Sequence, residues 1–166
     1  MEISKQLVLI TGAGRGLGEA LSRSFIRQGA QVIINYYQSE SKATTLASEL
    51  GENALALQGD VRKAADMKTI VEEAETHFNR KVTTLVNNAL IDYKFDPVKN
   101  KSYESIQWQD YLTQLEGSVQ GALNSLQAVV PGMKELGFGR IINIGTNLFH
   151  NPVVSYHDYT TAKSAL

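Results

Sequence analysis

Short apolar segments alternate along the chain with longer segments in which apolar residues recur every three or four positions. The short segments, several of them apolar at consecutive positions, lie at residues 6–11, 31–35, 54–60, 82–88 and 140–146. Each has about the length of a strand, and consecutive apolar residues are typical of strands covered on both faces of a sheet. The pattern therefore predicts five buried strands.

The intervening segments predict helices. Leu17, Leu21 and Phe25 recur at four-residue spacing, and longer apolar faces cover residues 67–78 and 111–133. Strand–helix alternation with these lengths is the pattern of βαβ units. It predicts an α/β fold in which a doubly wound parallel sheet carries helices on both faces, and the whole chain forms one domain.

Composition narrows the class of protein. Hydrophobic residues make up 43% of the chain, and 16 basic against 17 acidic residues give a net charge of −1, with no cysteine. Balanced charge argues against a nucleic-acid or anionic-membrane partner, and the lack of cysteine excludes thiol catalysis and disulfides. The start of the chain lacks a signal-like segment, so a cytoplasmic protein is expected. His150 and His157 lack the spacing of metal ligands, and no metal is expected.

The sequence TGAGRGLG at residues 11–18 follows the first predicted strand and opens the first helix. Glycines there allow backbone N–H groups to approach an anion, and the helix amino terminus adds a partial positive charge. The dinucleotide fingerprint GxGxxG fails because Leu17 takes its last glycine position, and a P-loop fails for want of GK[ST]. The loop still predicts a bound phosphate group.

This spacing resembles the cofactor loop TGxxxGxG of the short-chain dehydrogenase/reductase family. Three further motifs match in order: Asp60–Val61 after the third strand, Asn87–Asn88–Ala89 with Leu90 in place of a glycine, and Tyr159 with Lys163 as YxxxK. The resemblance implies a Rossmann-type sheet of order 3-2-1-4-5, closest in pattern to the 3-oxoacyl-acyl-carrier-protein reductases. It implies a dinucleotide site formed by Thr11, Gly12, Gly14, Arg15, Gly16, Leu17, Gly18, Asn35, Tyr36, Asp60, Val61, Asn87, Asn88, Ala89, Tyr159 and Lys163.

The end of the second strand favours NADP over NAD. Dehydrogenases that select NAD tend to place a carboxylate there to bind the ribose 2′-hydroxyl, whereas this chain has Asn35 and Tyr36. The lack of a carboxylate removes the repulsion of a 2′-phosphate. Arg15 in the glycine loop is expected to donate a charge-assisted hydrogen bond to that phosphate.

The pair Tyr159 and Lys163 predicts proton transfer to a carbonyl oxygen. Alone the spacing is weak, since composition gives about 0.4 chance occurrences of YxxxK. Its place after the fifth strand strengthens it, and four-residue spacing puts both side chains on one helix face. A nearby ammonium lowers the pKa of a phenol, so Tyr159 is expected to donate the proton and Lys163 to tune it. By resemblance, Lys163 also binds the nicotinamide ribose.

Two further catalytic positions follow from the resemblance. Thr146 stands where the family has its catalytic serine, and its hydroxyl is expected to hold the substrate carbonyl. Ser118 stands where the family has an asparagine that supports a water chain to the lysine, which puts the proton relay in question. Val153, Val154 and Tyr156 are expected to line the approach to the site.

The sequence thus predicts an NADPH-dependent reductase of a ketone of 3-oxoacyl type, either a small molecule or bound to an acyl carrier. The alternative is a catalytically idle nucleotide-binding or interaction module, which Ser118 and Leu90 favour. Helices resembling the family's dimer-forming pair predict a homodimer or homotetramer. Family members continue past YxxxK through further strands and a substrate lid, so these residues are expected to be part of a longer chain.

Overall fold

The computed structural model describes residues 1–91, 93, 95–96, 101–151 and 156–166. Its strands are β1 (Leu7–Ile10), β2 (Gln31–Tyr36), β3 (Ala54–Gln58), β4 (Thr84–Asn87) and β5 (Arg140–Asn143). Its α-helices are α1 (Gly16–Arg27), α2 (Glu40–Leu50), α3 (Ala64–Phe78), α4 (Trp108–Leu115), α5 (Gly121–Leu136) and α6 (His157–Ala165). A π-helical turn, Glu116–Gln120, joins α4 to α5, and short 3₁₀ turns lie at Ile3–Lys5, Gly51–Asn53 and Asn147–Phe149.

The strands form one parallel sheet in the order β3-β2-β1-β4-β5. Both the predicted doubly wound α/β fold and the predicted strand order are confirmed. Since the order runs in opposite directions from β1, the carboxyl ends of β1 and β4 border a crevice, which is where open parallel sheets bind ligands.

Alternate residues of the strands supply two separate cores. Leu7 and Leu9 of β1 face one layer, in which Met67 and Ile70 of α3 pack. Val8 and Ile10 of the same strand belong to the opposite layer. Because side chains alternate across a strand, a run of consecutive apolar residues fills both layers at once.

Three details differ from the helical pattern of the sequence. Leu17 and Leu123 belong to the predicted apolar faces, yet they are 52% and 51% exposed. Pro131 lies inside α5, which continues to Leu136. Val129 and Met133 on either side of the proline are buried in the core, and this packing holds the helix through it.

Strand β5 pairs with β4 and forms an edge of the sheet among the described residues. Ile141 and Ile142 are 46% and 41% exposed, unlike the apolar residues of the inner strands. None of the helices in the described part of the chain is long and apolar enough to cross a membrane. The predicted homo-oligomer stays a prediction.

A side-chain hydrogen bond of Thr83 joins the start of β4 to β1, and its contribution to stability can be tested. Its Oγ1 accepts a hydrogen bond from the backbone N–H of Leu7 at 3.1 Å, and both residues are buried. Thr83→Val keeps the shape but leaves that N–H without an acceptor. We expect the free energy of unfolding to fall by about 1–3 kcal/mol in urea titration. The matched exchange at exposed Thr76 should change it by less than about 0.5 kcal/mol, and equal effects at the two positions would refute the role of Thr83.

Candidate active site

The glycine loop connects β1 to α1 at the carboxyl edge of the sheet. Gly12 has a φ of +63°, and a Cβ there would stand 2.9 Å from the Cα of Ala89, so the loop passes closely under the segment after β4. A Cβ at Gly16, by contrast, would meet no protein atom within 4 Å. Open space therefore adjoins the backbone where α1 begins, as an anion site at a helix amino terminus requires.

Two polar side chains, one buried and one half-buried, hold the glycine loop against its neighbours. Thr11 Oγ1 accepts hydrogen bonds from the backbone N–H groups of Asn88 and Ala89, each at 3.0 Å. Asn88 Nδ2 in return donates to the carbonyl oxygens of Thr11 and Gly12 at 2.9 and 3.2 Å. These four bonds fix the loop after β1 relative to the loop after β4.

Asn35 makes the corresponding connection on the other side of β1. It is 1% exposed; its Oδ1 accepts from the N–H of Gly12 at 3.3 Å, and its Nδ2 donates to the carbonyl of Gly59 at 3.1 Å. The side chain at the end of β2 is thus committed to the loops after β1 and β3. Loop positioning is the contribution that the structure gives it.

An open cleft of about 1640 Å³ runs along this edge of the sheet. The strand order places the end of β2 on one side of the glycine loop and the ends of β4 and β5 on the other. Predicted site residues that line the cleft are Gly12, Arg15, Gly16, Leu17, Asn35, Tyr36, Val61, Asn88, Ala89, Tyr159 and Lys163. The cleft therefore joins the predicted cofactor loop to the predicted catalytic pair.

The remaining predicted residues lie behind or beside that lining. Thr11, Asn87 and Ser118 border a small neighbouring cavity, while Gly14, Gly18, Asp60 and Thr146 are not among the residues that line either space. Thr146 Oγ1 accepts from the N–H of Leu148 at 3.3 Å and caps the short turn after β5. Val153 and Val154 lie outside the described residues.

Asp60 is engaged by Arg62 rather than open to the cleft. Its carboxylate is 4% exposed and accepts from Arg62 Nε at 2.9 and 3.1 Å and from Nη2 at 2.7 Å. Arg62 in turn lies 5.5 Å from the ring centre of Tyr37, which lines the cleft. The hydrogen bonds from Arg62 hold the pKa of Asp60 below its usual 3.8, although burial opposes them.

The predicted catalytic pair lies in the first two turns of α6. Tyr159 and Lys163 are each 6% exposed, and Lys163 Nζ donates to the carbonyl oxygen of Ile144 at 2.9 Å. Burial lowers the pKa of Lys163 below its usual 10.5. The bond to Ile144 anchors the amine at the carboxyl end of β5, beside the cleft.

Ser118 lies in the π-helical turn between α4 and α5 and is 4% exposed. A Cβ on Gly117 would stand 2.5 Å from Ile91 Cγ1, and one on Gly121 would stand 2.8 Å from Val61 Cγ2. The two glycines therefore let the turn approach the loops after β4 and β3. A cavity of about 10 Å³, about the smallest that holds one water, is lined by Ser118 and Lys163 among others.

Aromatic residues cover the face of Tyr159. The Tyr93 ring stacks on it with 4.9 Å between centroids and 23° between planes, and the Phe95 ring meets it edge-on at 5.0 Å. Tyr156, which the sequence predicts beside the site, lies 5.5 Å from Phe95. Tyr93 and Phe95 line the cleft and were not predicted from the sequence.

Other cleft residues also escaped the sequence analysis. Ser39 and Lys42 line the cleft beyond the end of β2, and their position after that strand was an available signal. The four-residue spacing of Gly117 and Gly121 was another, which indicates close approach on a helix. The carbonyl of Ile144 is a backbone group, and no residue type signals it.

A glycine loop at the carboxyl edge of this parallel sheet, beside an open cleft, is typical of a Rossmann-type fold. A family model described as short chain dehydrogenase matches residues 6–166, and the chain belongs to that family. The family resemblance is thereby confirmed.

Individual proteins and a solved structure are also similar to this chain. NADP-dependent 3-hydroxy acid dehydrogenase YdfG of Salmonella typhi is 34% identical over 158 residues, covering 95% of this chain and 61% of that protein. The 3-oxoacyl-[acyl-carrier-protein] reductase FabG of Staphylococcus epidermidis is 32% identical over 139 residues, covering 82% and 54%. The crystal structure of 3-ketoacyl-(acyl-carrier-protein) reductase from Brucella melitensis complexed with NADH has a TM-score of 0.88 at 30% identity, covering 98% and 66%. This chain thus spans about three fifths of the length of the first of these relatives.

The residues present fit a dinucleotide. The space beside Gly16 is open at the amino terminus of α1, and the cleft volume of about 1640 Å³ exceeds that of an ordinary small-ligand pocket. Arg15 and Lys42 supply cations at one end, and Tyr159 and Lys163 supply hydrogen-bonding groups at the other. The donor set therefore suits an extended ligand with phosphate groups near α1.

The Asp60–Arg62 pair gives a pH-dependent prediction. A carboxyl with a depressed folded pKa stabilises the protein above its usual pKa of 3.8, and this contribution disappears as pH falls through the lower folded value. Asp60→Asn should therefore lower the free energy of unfolding by about 1–3 kcal/mol at pH 7, with a difference that shrinks below about pH 4. Denaturant titrations across pH measure it. Exposed Glu52→Gln is the control, and a gap that persists unchanged at pH 3 contradicts the assignment.

Proposed function

We propose that the protein is an NADPH-dependent reductase of a ketone, with Tyr159 as the proton donor. The observation that carries the proposal is the burial of Tyr159 and Lys163 beside a cleft that continues to the glycine loop. The names of the YdfG and FabG relatives support a 3-hydroxy or 3-oxo substrate. We infer a 3-oxoacyl-type carbonyl, either free or bound to an acyl carrier.

The chain's own groups supply the proton side of the reaction. NADPH, when bound, supplies the hydride that reduces the carbonyl carbon and is itself oxidised to NADP. The phenol of Tyr159 gives its proton to the carbonyl oxygen as the C=O double bond becomes an alcohol. The Lys163 ammonium, anchored on Ile144, stabilises the phenolate that remains.

Ser118 is proposed to pass a proton back toward this pair. A single water in the cavity that Ser118 and Lys163 both line would connect the serine hydroxyl to the amine. Such a water needs two to four polar partners, and Asn87 and Thr11 also border the cavity. The shorter serine side chain therefore leaves a route for the proton relay.

The preference for NADPH rests on the charges beyond the end of β2. Arg15 and Lys42 line that end of the cleft with Ser39, against the single carboxylate of Glu40. No carboxylate stands on β2 itself, where Asn35 is held by the loops. The arrangement supports a 2′-phosphate site made of Arg15, Lys42 and the Ser39 hydroxyl.

The cofactor preference is tested by removing each charge separately. Arg15→Gln and Lys42→Gln should each weaken NADPH binding about 10-fold, because a charge-assisted hydrogen bond is lost, while NADH binding stays within about twofold. The dissociation constants follow from the fluorescence of the reduced nicotinamide. Lys68→Gln is the control, because Lys68 is an exposed residue of α3. Wild-type protein that binds NADH as tightly as NADPH would contradict the proposal.

Proton donation is tested with Tyr159→Phe, which keeps the ring and removes the hydroxyl. We expect kcat for NADPH-dependent reduction of a 3-oxo ester to fall by about 10²–10⁴-fold, with the NADPH dissociation constant unchanged. Exposed Tyr103→Phe is the matched control and should keep wild-type activity. Equal turnover in Tyr159→Phe and wild type excludes the phenol as the donor.

The rival is a catalytically idle nucleotide-binding module. Tyr93 stacked on Tyr159 favours it, since a covered ring leaves less room for substrate. The same experiment separates the two: NADPH binding without turnover in either protein supports the module. Turnover that depends on Tyr159 supports the reductase.

A further inference from the structure

Three aromatic rings converge on that of the proposed proton donor, Tyr159. Tyr93 and Phe95 come from the segment after β4, Tyr156 precedes α6, and Tyr159 lies within it. Ring centroids are 4.9 Å apart for Tyr93 and Tyr159, 5.0 Å for Phe95 and Tyr159, 5.1 Å for Tyr93 and Phe95, and 5.5 Å for Phe95 and Tyr156. These separations lie within the range at which aromatic rings attract one another. The four rings are here called the aromatic cluster.

The aromatic cluster has a buried side and an open side. Tyr159 is 6% exposed, whereas Phe95 is 54% exposed and lines the cleft together with Tyr93. A phenyl ring left half exposed next to a reacting hydroxyl offers apolar area that a ligand can cover. Aromatic rings prefer stacked or edge-to-face neighbours, so the open side suits a flat ring better than a flexible alkyl chain.

Charges at this end of the cleft favour a neutral substrate. Asp96, Asp110 and Asp158 line it with the amines of Lys101 and Lys163. Lys101 Nζ donates to both carboxylate oxygens of Asp110 at 2.7 and 2.8 Å, and Lys163 donates to a backbone carbonyl. Among the described residues of this lining, three carboxylates stand against two amines, and both amines already donate hydrogen bonds within the protein, so a free carboxylate on the substrate gains little there.

We propose that the aromatic cluster selects neutral 3-oxo esters or thioesters whose carbonyl carries an aryl group, by packing Tyr93 and Phe95 against that ring. This inference rests on the proposed function, because it places the substrate carbonyl at Tyr159. Within the 3-oxoacyl class, it specifies the substituent that the reacting carbonyl carries on the side away from the ester group. Tyr93 is the specificity-determining residue, since its ring contacts both Phe95 and Tyr159.

The experiment compares two neutral probes that differ only at that group, ethyl benzoylacetate and ethyl acetoacetate, on the purified full-length protein. In wild type, kcat/KM with NADPH should be about 10-fold higher for the aryl ester, as one added ring contact allows. Tyr93→Leu should bring the ratio close to 1, whereas Tyr93→Phe, which keeps the ring, should preserve it. Phe95→Leu is the second variant and should lower the ratio in the same direction.

A binding measurement makes the result independent of turnover. Calorimetric titration of acetophenone into the protein with NADP should give a dissociation constant that Tyr93→Leu raises about 10-fold and Tyr93→Phe leaves unchanged. The dissociation constant for NADP itself and the melting temperature serve as folding controls. If Tyr93→Leu does not fold, Phe95→Leu carries the comparison.

Each outcome decides the matter. A wild type that reduces both esters equally well, or prefers the alkyl ester, overturns the aryl selection and leaves the proposed reductase standing. A protein that reduces neither ester but binds acetophenone in a Tyr93-dependent way supports the aromatic site and overturns the reductase. Absence of both turnover and acetophenone binding overturns both.

Discussion

Three polar side chains, two of them buried, hold the carboxyl edge of the sheet together, and the cleft depends on them. Thr11, Asn35 and Asn88 bind backbone groups of loops other than their own, so that the segments after β1, β3 and β4 are joined by side-chain hydrogen bonds. Loop backbone groups lack the regular partners of a strand and are costly to bury unpaired. Hydrogen bonds from these side chains satisfy the loop backbone groups and fix the loops relative to one another. The fixed loops form one side of the cleft and thereby limit where a dinucleotide can bind.

The same edge explains how the proposed catalytic groups from distant parts of the chain meet. Lys163 is anchored on a carbonyl just beyond β5, and the π-helical turn places Ser118 at the junction of α4 and α5. Gly117 and Gly121 allow that approach because side chains there would overlap Ile91 and Val61. π-helical turns occur often at functional sites, and here the turn places the Ser118 hydroxyl at a cavity that Lys163 also lines.

The sequence predicted the fold and the site to different depths. Strands of consecutive apolar residues were sufficient to predict a parallel sheet, and the family resemblance implied its strand order. The roles of Asn35 and Asp60 were beyond it, because their partners at Gly12 and Arg62 are set by loop geometry. Tyr93 and Phe95 stand in a segment with no regular pattern, so only the fold brings them to Tyr159. Leu17 fits the helical spacing of the apolar residues, which predicts burial, but it lines the cleft instead. A ligand site at a helix end requires that the end is not packed against the core.

The environment of Lys163 sets a balance that the proposed chemistry depends on. Burial strengthens the field of its ammonium at nearby groups, because little water screens it, and the same burial makes the charged form harder to keep. The carbonyl of Ile144 offsets part of that cost by accepting a hydrogen bond from the amine at 2.9 Å. A more exposed lysine would hold its charge more easily but would act on the Tyr159 phenol through water. Burial lowers the pKa of this amine, and the hydrogen bond to one carbonyl at the end of β5 favours the charged form against that effect.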